Sequence, residues 1–231
     1  MIYIIPFLSV LIGYLVASFI QPKKKKHLKL LLAFSGAFLL ALTVTHLLPV
    51  LFTSNVLASN ASHLHNNTAI FIMVGIVFQI VLEYFSQGAE HGHVHGHHHM
   101  HQIPWALFIS LCLHALLEGM PVSQNPHLAW GISVHHFPIA MILTTFFTQS
   151  HLRKIFIGIF MLVFALMTPL GTFIAMDSAM LLPYQKEITA FVIGILFHIS
   201  STIIFESSEG HKFNLAKLTA ILLGIILAYF M

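Results

Sequence analysis

Residues 104–149 read PWALFISLCLHALLEGMPVSQNPHLAWGISVHHFPIAMILTTFFTQ, two apolar runs joined by a short polar segment. The runs, 104–123 and 127–149, each contain about the 20 residues that a helix needs to cross a bilayer. Because so few residues separate them, the two helices are predicted to lie antiparallel as a hairpin. The same pattern of apolar run and short connection continues in both directions along the chain.

Six further apolar runs flank this hairpin, at 2–20, 28–53, 68–87, 152–176, 186–206 and 214–231. The chain is 58% hydrophobic and 7% charged, whereas soluble domains carry about 25% charged residues. These features exclude a soluble fold and predict an all-α membrane protein with eight transmembrane helices in one domain, 1–231. The lipid bilayer is the expected partner, and nucleic acid is not expected, because the basic residues form only short clusters between apolar runs.

The basic residues predict the orientation of these spans. Nine of the ten lysines and arginines fall in alternate loops and so share one face of the membrane: Lys23, Lys24, Lys25, Lys26, Lys29, Arg153, Lys154, Lys212 and Lys217. Lys186 is the exception. The positive-inside rule makes the shared face cytoplasmic, so both termini are predicted to be extracytoplasmic. Termini on the same side require an even number of spans, which agrees with eight.

Four polar side chains fall at matching depth in the hairpin. His114 and Glu118 are four residues apart in the fourth run, and His135 and His136 lie in the fifth. From the hairpin centre near residues 125–126, a rise of ~1.5 Å per residue places all four about 11–17 Å into a ~30 Å core. Three imidazoles and a carboxylate at one level predict a binding site for a divalent transition metal.

Two prolines support this interpretation. Pro121 and Pro138 each remove a backbone donor and free a carbonyl about one turn earlier. Freed carbonyls inside a membrane are tolerated where helices line a cavity, and broken helices recur at transporter sites. The alternative is a structural His114–Glu118 pair with ordinary proline kinks.

Other polar residues are weaker candidates. His198, in the seventh run, is expected either to complete the metal site or to hydrogen-bond a neighbour. His46, near the outer end of the second run, is a candidate for guiding incoming ions. Gln79 and Glu83, four residues apart in the third run, are candidates for lining an exit path.

A histidine tract occupies the predicted cytoplasmic loop at about 88–103, between the third and fourth spans. Its imidazoles belong to His91, His93, His95, His97, His98, His99 and His101. Such a tract, interrupted by glycines, is expected to bind several metal ions weakly and exchange them quickly. It is therefore predicted to be a metal buffer or sensor, and not a site essential for translocation.

Several short motifs follow one another in a specific order: Phe34-Ser-Gly36 and His46-Leu-Leu-Pro49, His114 with Glu118-Gly119, His135-His-Phe-Pro138, and Pro169-Leu-Gly171. In this order and spacing the chain resembles the ZIP (Zrt/Irt-like protein) family of divalent metal transporters over most of its length. The resemblance implies eight spans with outside termini, spans four and five at the centre of the bundle, and transport by rocking of one helix group against another.

The chain departs from the family pattern at two positions. Ile139 stands where the family usually has a second bridging glutamate, and Ala115 stands where a polar ligand is common. A site with one metal ion is therefore expected, with His135 or His136 compensating. Its lower negative charge should favour ions that prefer imidazole over Mn²⁺ or Ca²⁺.

The sequence thus predicts a non-enzymatic transporter of divalent metal ions in a cell or inner membrane, with Zn²⁺ foremost and other divalent transition metals as further substrates. Transport is expected toward the cytoplasm, and a homodimer is one assembly open to the chain. A non-transporting metal sensor is one alternative. An intramembrane zinc-dependent hydrolase is another, although the chain has no His-Glu-x-x-His motif. A haem-binding electron carrier is a third.

Overall fold

A computed structural model describes residues 3–20, 25–53, 61–86, 104–206 and 215–231, and every regular element in these ranges is helical. The all-α prediction is therefore confirmed for this part of the chain. The α-helices are α1 (Ile4–Ile20), α2 (Lys25–Leu42), α3 (Leu48–Thr53), α4 (Ala61–Ser86), α5 (Trp105–Gly119), α6 (Pro126–Gln149), α7 (Lys154–Asp177), α8 (Gln185–Glu206) and α9 (Leu215–Tyr229). Short 3₁₀ segments at Met120–Ser123 and Leu182–Tyr184 follow α5 and precede α8.

Six helical segments are long and apolar enough to cross a membrane, which identifies a multi-pass membrane protein. They are His27–Phe52, Thr68–Ser86, Trp105–Ser123, Pro126–Gln149, Lys154–Asp177 and Leu182–Phe205. The helices α1 and α9 are also apolar but shorter, with 17 and 15 described residues. All eight predicted apolar runs are thus helical, while the number of spans and the sides of the termini stay predictions.

One helix boundary differs from the sequence prediction. The predicted apolar runs 28–53 and 68–87 leave residues 54–67 between them, but α4 begins at Ala61, seven residues before the predicted start at 68. Residues 61–67 contain neither proline nor glycine, so nothing in their backbone chemistry stops a helix there. The apolar run marks the part of the helix suited to lipid, whereas the helix itself continues beyond it.

The second span contains a wide π-helical turn at Thr43–Leu47 that joins α2 to α3. Thr43 Oγ1 and Thr45 Oγ1 donate hydrogen bonds of 2.8 Å to the carbonyls of Leu39 and Ala41, one turn earlier. Hydroxyls that bond back in this way loosen and bend a helix. These two bonds give the carbonyls of Leu39 and Ala41 side-chain donors at the entry to the wide turn.

Buried side chains form two main clusters that meet at α6. One lies among α1, α5, α6 and α7 and includes Leu111, Phe147 and Phe160. The other lies among α2, α8, α9 and the opposite side of α6, where Ile132 is buried. In the most apolar stretch of α6, 72% of residues are buried, against 50% for the segment containing α5 and 22% for α4. Of the two spans expected at the centre, α6 is the more enclosed, and α4 lies at the edge.

The helices α5 and α7 touch through their backbones. A Cβ atom on Gly171 would lie 1.9 Å from the carbonyl oxygen of Leu116, and one on Gly119 would lie 2.1 Å from that of Thr168. Small residues allow this approach between membrane helices. Thr172 Oγ1 then donates a 2.7 Å hydrogen bond to the carbonyl of Gly119, which fixes the end of α5 against α7.

Candidate metal centre

The first half of the candidate site lies in the last turns of α5. His114 and Glu118 are separated by one turn, so both side chains point from the same face of the helix. The helix ends at Gly119, and the 3₁₀ segment after it contains Pro121. Glu118 therefore occupies the last turn before a break, and both it and His114 are completely buried.

The second half comes from α6, which returns from the hairpin beside α5. His135 and His136 lie about two and a half turns into this helix and are also completely buried. The helix continues through Pro138, which neighbouring helices in a membrane protein can accommodate. Residues 124–125 separate the 3₁₀ segment from α6, whereas the hairpin centre was predicted near residues 125–126, one residue later.

The structure brings these four side chains together. Nε2 of His114 lies 3.2 Å from Oε1 of Glu118, and Nε2 of His136 lies 3.1 Å from Oε2 of the same carboxylate. One ligand atom from each of His114, Glu118 and His135 lies within 4.8 Å of the others. The three imidazole ring centres are 5.9–6.5 Å apart. Glu118 is thus at the middle of a ring of imidazoles.

The donor atoms are close to the spacing that a metal requires. Zinc holds nitrogen and oxygen ligands at 2.0–2.2 Å, which puts neighbouring donors of a tetrahedral site about 3.4 Å apart. Nδ1 of His114 and Nδ1 of His136 are buried and make no hydrogen bond within the described part of the chain. Buried polar atoms without a partner are rare in native proteins and indicate places where an ion or water binds.

The surroundings of the group are largely apolar. The ring of Phe164 packs 5.2 Å from that of His136, which closes one side with an apolar face. Ile139 and Ala115 are buried in the apolar cluster among α1, α5, α6 and α7. The two positions that depart from the ZIP pattern therefore lie in hydrocarbon packing, where neither supplies a donor.

The other predicted residues lie apart from this group. His198 does not complete it, since its Nε2 lies 2.5 Å from Oε2 of Glu83. Gln79 is buried on α4, one turn before Glu83. Nε2 of His46 lies 3.3 Å from the carbonyl oxygen of Ala228. The tract from His91 to His101 lies outside the described residues.

Sequence reasoning missed several neighbours of the site. Phe164 and Thr172 come from α7, and the motif ending at Gly171 was the only signal near them. His127 was not singled out either, although its ring stacks on that of His46 with centres 5.3 Å apart. Each contact depends on how the helices are rotated and packed against one another, which the sequence alone does not reveal.

The group of His114, Glu118, His135 and His136 offers three imidazoles and one carboxylate in a completely buried position. Imidazole suits zinc, copper, iron and nickel, whereas magnesium, calcium and manganese prefer sites rich in oxygen.

No protein-family model matches the chain, and a comparison with curated proteins found no match.

Proposed function

We propose that the protein transports divalent metal ions across a membrane, with Zn²⁺ as the expected substrate and the cytoplasm as the destination. The supporting observation is the convergence of His114, Glu118 and His135, whose ligand atoms lie within 4.8 Å of one another. The imidazole of His136 contacts the same carboxylate, and all four side chains are completely buried on two successive apolar helices. Ionisable residues at this depth are expensive and usually mark an ion or substrate pathway.

The donor set suits binding followed by release. The carboxylate of Glu118 lies 3.1 and 3.2 Å from two imidazoles, so one ion can contact all three groups. The carboxylate carries one negative charge and would neutralise one of the two positive charges of a divalent ion. The imidazoles would replace part of the hydration shell of the ion. The α-helix tightens into the 3₁₀ segment Met120–Ser123 directly after Gly119, next to this carboxylate. The carboxylate therefore lies where the helical geometry changes.

The proposed topology has eight spans, with α1 and α9 as the first and last, and with the tract at 88–103 in the cytoplasm. The resemblance to the ZIP family supports this arrangement, and so does the clustering of basic residues in alternate loops. In this topology the metal passes one central site and leaves on the side of the histidine tract.

A non-transporting metal sensor is the second candidate. The buried Ile139 favours it, because a site with a single carboxylate can hold an ion without a second site to receive it. A sensor and a transporter would use the same metal ligands, but only the transporter would carry metal ions across the membrane.

Zinc uptake into proteoliposomes tests the proposal. Glu118→Gln keeps the size of the side chain and removes its charge, so we expect uptake to fall to the level of protein-free vesicles. Glu187→Gln, in the first turn of α8, is the matched control and should transport normally. Wild-type protein that binds zinc without flux would establish the sensor, and full uptake by a folded Glu118→Gln variant would remove this site from the pathway.

A further inference from the structure

A second histidine–carboxylate pair joins α4 to α8. Nε2 of His198 lies 2.5 Å from Oε2 of Glu83, although the residues are 115 positions apart in the sequence. The two side chains are 18% and 21% exposed, respectively. Unlike the residues of the central site, this pair is open to its surroundings. It shares neither a residue nor a helix with the group around Glu118.

The backbones of α4 and α8 hold the pair in place. A Cβ atom on Gly75 would lie 2.0 Å from the carbonyl oxygen of Phe191, and one on Gly194 would lie 2.0 Å from that of Ile72. His198 is one turn beyond Gly194 and therefore on the same face of α8. The glycine contact thus directs the imidazole of His198 toward α4.

His198 of this pair lines an open cleft of about 430 Å³. The lining residues are Ile76, Phe197, His198, Ser201, Thr202 and Phe205. A water molecule occupies ~30 Å³ in the liquid, so an ion with six waters needs roughly 200 Å³. The cleft has room for a hydrated ion. Most of its lining is apolar, and its polar side chains are the imidazole of His198 and the hydroxyls of Ser201 and Thr202.

The position of the pair along the helices is informative. Glu83 lies three residues before the end of α4 at Ser86, and His198 lies eight residues before the end of α8 at Glu206. At ~1.5 Å per residue, these separations are about 4.5 and 12 Å. In the sequence, the chain leaves α4 at this same end to enter the segment 88–103. The pair therefore lies toward that end of the bundle.

We propose that Glu83 and His198 form a second divalent-metal site, which receives an ion released from the central site before it leaves the protein. The inference rests on the proposed transport function. With two strong protein donors, against four in the central group, this site binds more weakly than the central one. Conduction requires such intermediate sites, which bind well enough to accept an ion and weakly enough to release it.

Calorimetric titration of the full-length protein with Zn²⁺ tests the proposal. The background is a variant in which the seven histidines of the tract are replaced by glutamine, so that ions bound there do not obscure the count. In this background we expect two ions, one bound tightly and one weakly. Glu83→Gln and His198→Gln should each remove the weak ion and leave the dissociation constant of the tight ion unchanged.

Matched variants separate the two proposals. Glu118→Gln should remove the tight ion and leave the weak one, and Glu187→Gln should leave both. Only variants that elute from size-exclusion chromatography as a single species and keep the helicity of the wild type are compared. If one of Glu83→Gln and His198→Gln fails this criterion, the other is sufficient for the test. If the background protein binds a single ion and Glu118→Gln abolishes it, the second site is contradicted and the central site is supported. If the folded Glu83→Gln variant still binds two ions, the weak ion binds to other residues and the proposed pair is wrong. Loss of neither ion in Glu118→Gln would instead contradict the proposed central site.

Discussion

The contact between α5 and α7 predicts that a single methyl group will disturb metal binding. Gly171→Ala adds a Cβ atom that would lie 1.9 Å from the carbonyl oxygen of Leu116, whereas real Cβ atoms essentially never come closer than 3.0 Å to such an atom. One of the two helices must therefore shift by at least the difference, 1.1 Å. Leu116 is two residues before Glu118, so a shift of α5 moves a ligand of the site, and a shift of α7 moves the Thr172 hydroxyl that holds the end of α5 next to that ligand.

The magnitude follows from the tolerance of a metal centre. Ligand distances in a metal site hold to about ±0.2 Å, so a displacement of 1.1 Å exceeds the tolerance several times. Residues that position ligands typically change metal affinity by about 10–100-fold when they are altered. Overpacking of a helix contact also costs about 1–3 kcal/mol of stability. Weaker zinc binding and a lower melting temperature are both expected.

The assay compares Gly171→Ala with Gly158→Ala on the same helix. A Cβ atom at Gly158 would meet only the hydroxyl of Tyr14, at an ordinary distance of 3.6 Å. Zinc affinity and thermal unfolding are measured for both variants in detergent. Only Gly171→Ala should lose affinity. A folded Gly171→Ala variant with wild-type affinity would show that the contact of α7 does not fix the position of Glu118, and equal losses in both variants would point to a general effect of alanine.

Three further predictions concern different parts of the molecule. Thr172→Val removes the hydroxyl that donates to the carbonyl of Gly119 and should lower the free energy of unfolding by about 1–3 kcal/mol, measured by thermal unfolding. Thr172→Ser keeps the hydroxyl and should unfold like the wild type. A valine variant as stable as the wild type would mean that the carbonyl finds another donor. Replacing the seven histidines within 88–103 by glutamine should reduce the number of zinc ions bound at equilibrium while initial uptake persists; a collapse of uptake would make the tract part of the pathway. Acidification should slow zinc uptake, because imidazole and carboxyl ligands must release protons before they bind a metal; a rate that rises with acidity in vesicles of fixed zinc concentration would contradict ligand competition by protons.

The spans were predictable because the hydrophobic effect acts on each helix separately. A run of apolar residues bounded by polar ones identifies a membrane segment without knowledge of its neighbours, and all eight runs proved helical. The true start of α4 was not predictable in this way, since residues 61–67 are polar yet helical. Polarity reports where lipid ends, and helix formation depends on backbone chemistry instead.

The central group was predictable for a related reason. His114, Glu118, His135 and His136 lie on two helices joined by a short hairpin, so counting residues from the turn gives their relative depth. No such count links Glu83 to His198, because their contact depends on which helices pack side by side. A hydrogen bond from His198 to a neighbour was one of the two alternatives predicted from the sequence, and it is confirmed. The partner, Glu83, is identifiable only from the packing of α4 against α8.

The wide turn at Thr43–Leu47 has a consequence for the rotational phase of the second span. Each residue advances an α-helix by about 100°, so one residue added to a regular helix would rotate everything beyond it by that angle. The π turn instead absorbs one additional residue by widening, and α3 keeps its orientation. In this orientation Leu51 faces inward and is buried, while Val50 faces outward. Deleting one residue from the turn would therefore regularise the helix and leave Leu51 facing the bundle, so the span tolerates a change of chain length at this place that it would not tolerate elsewhere.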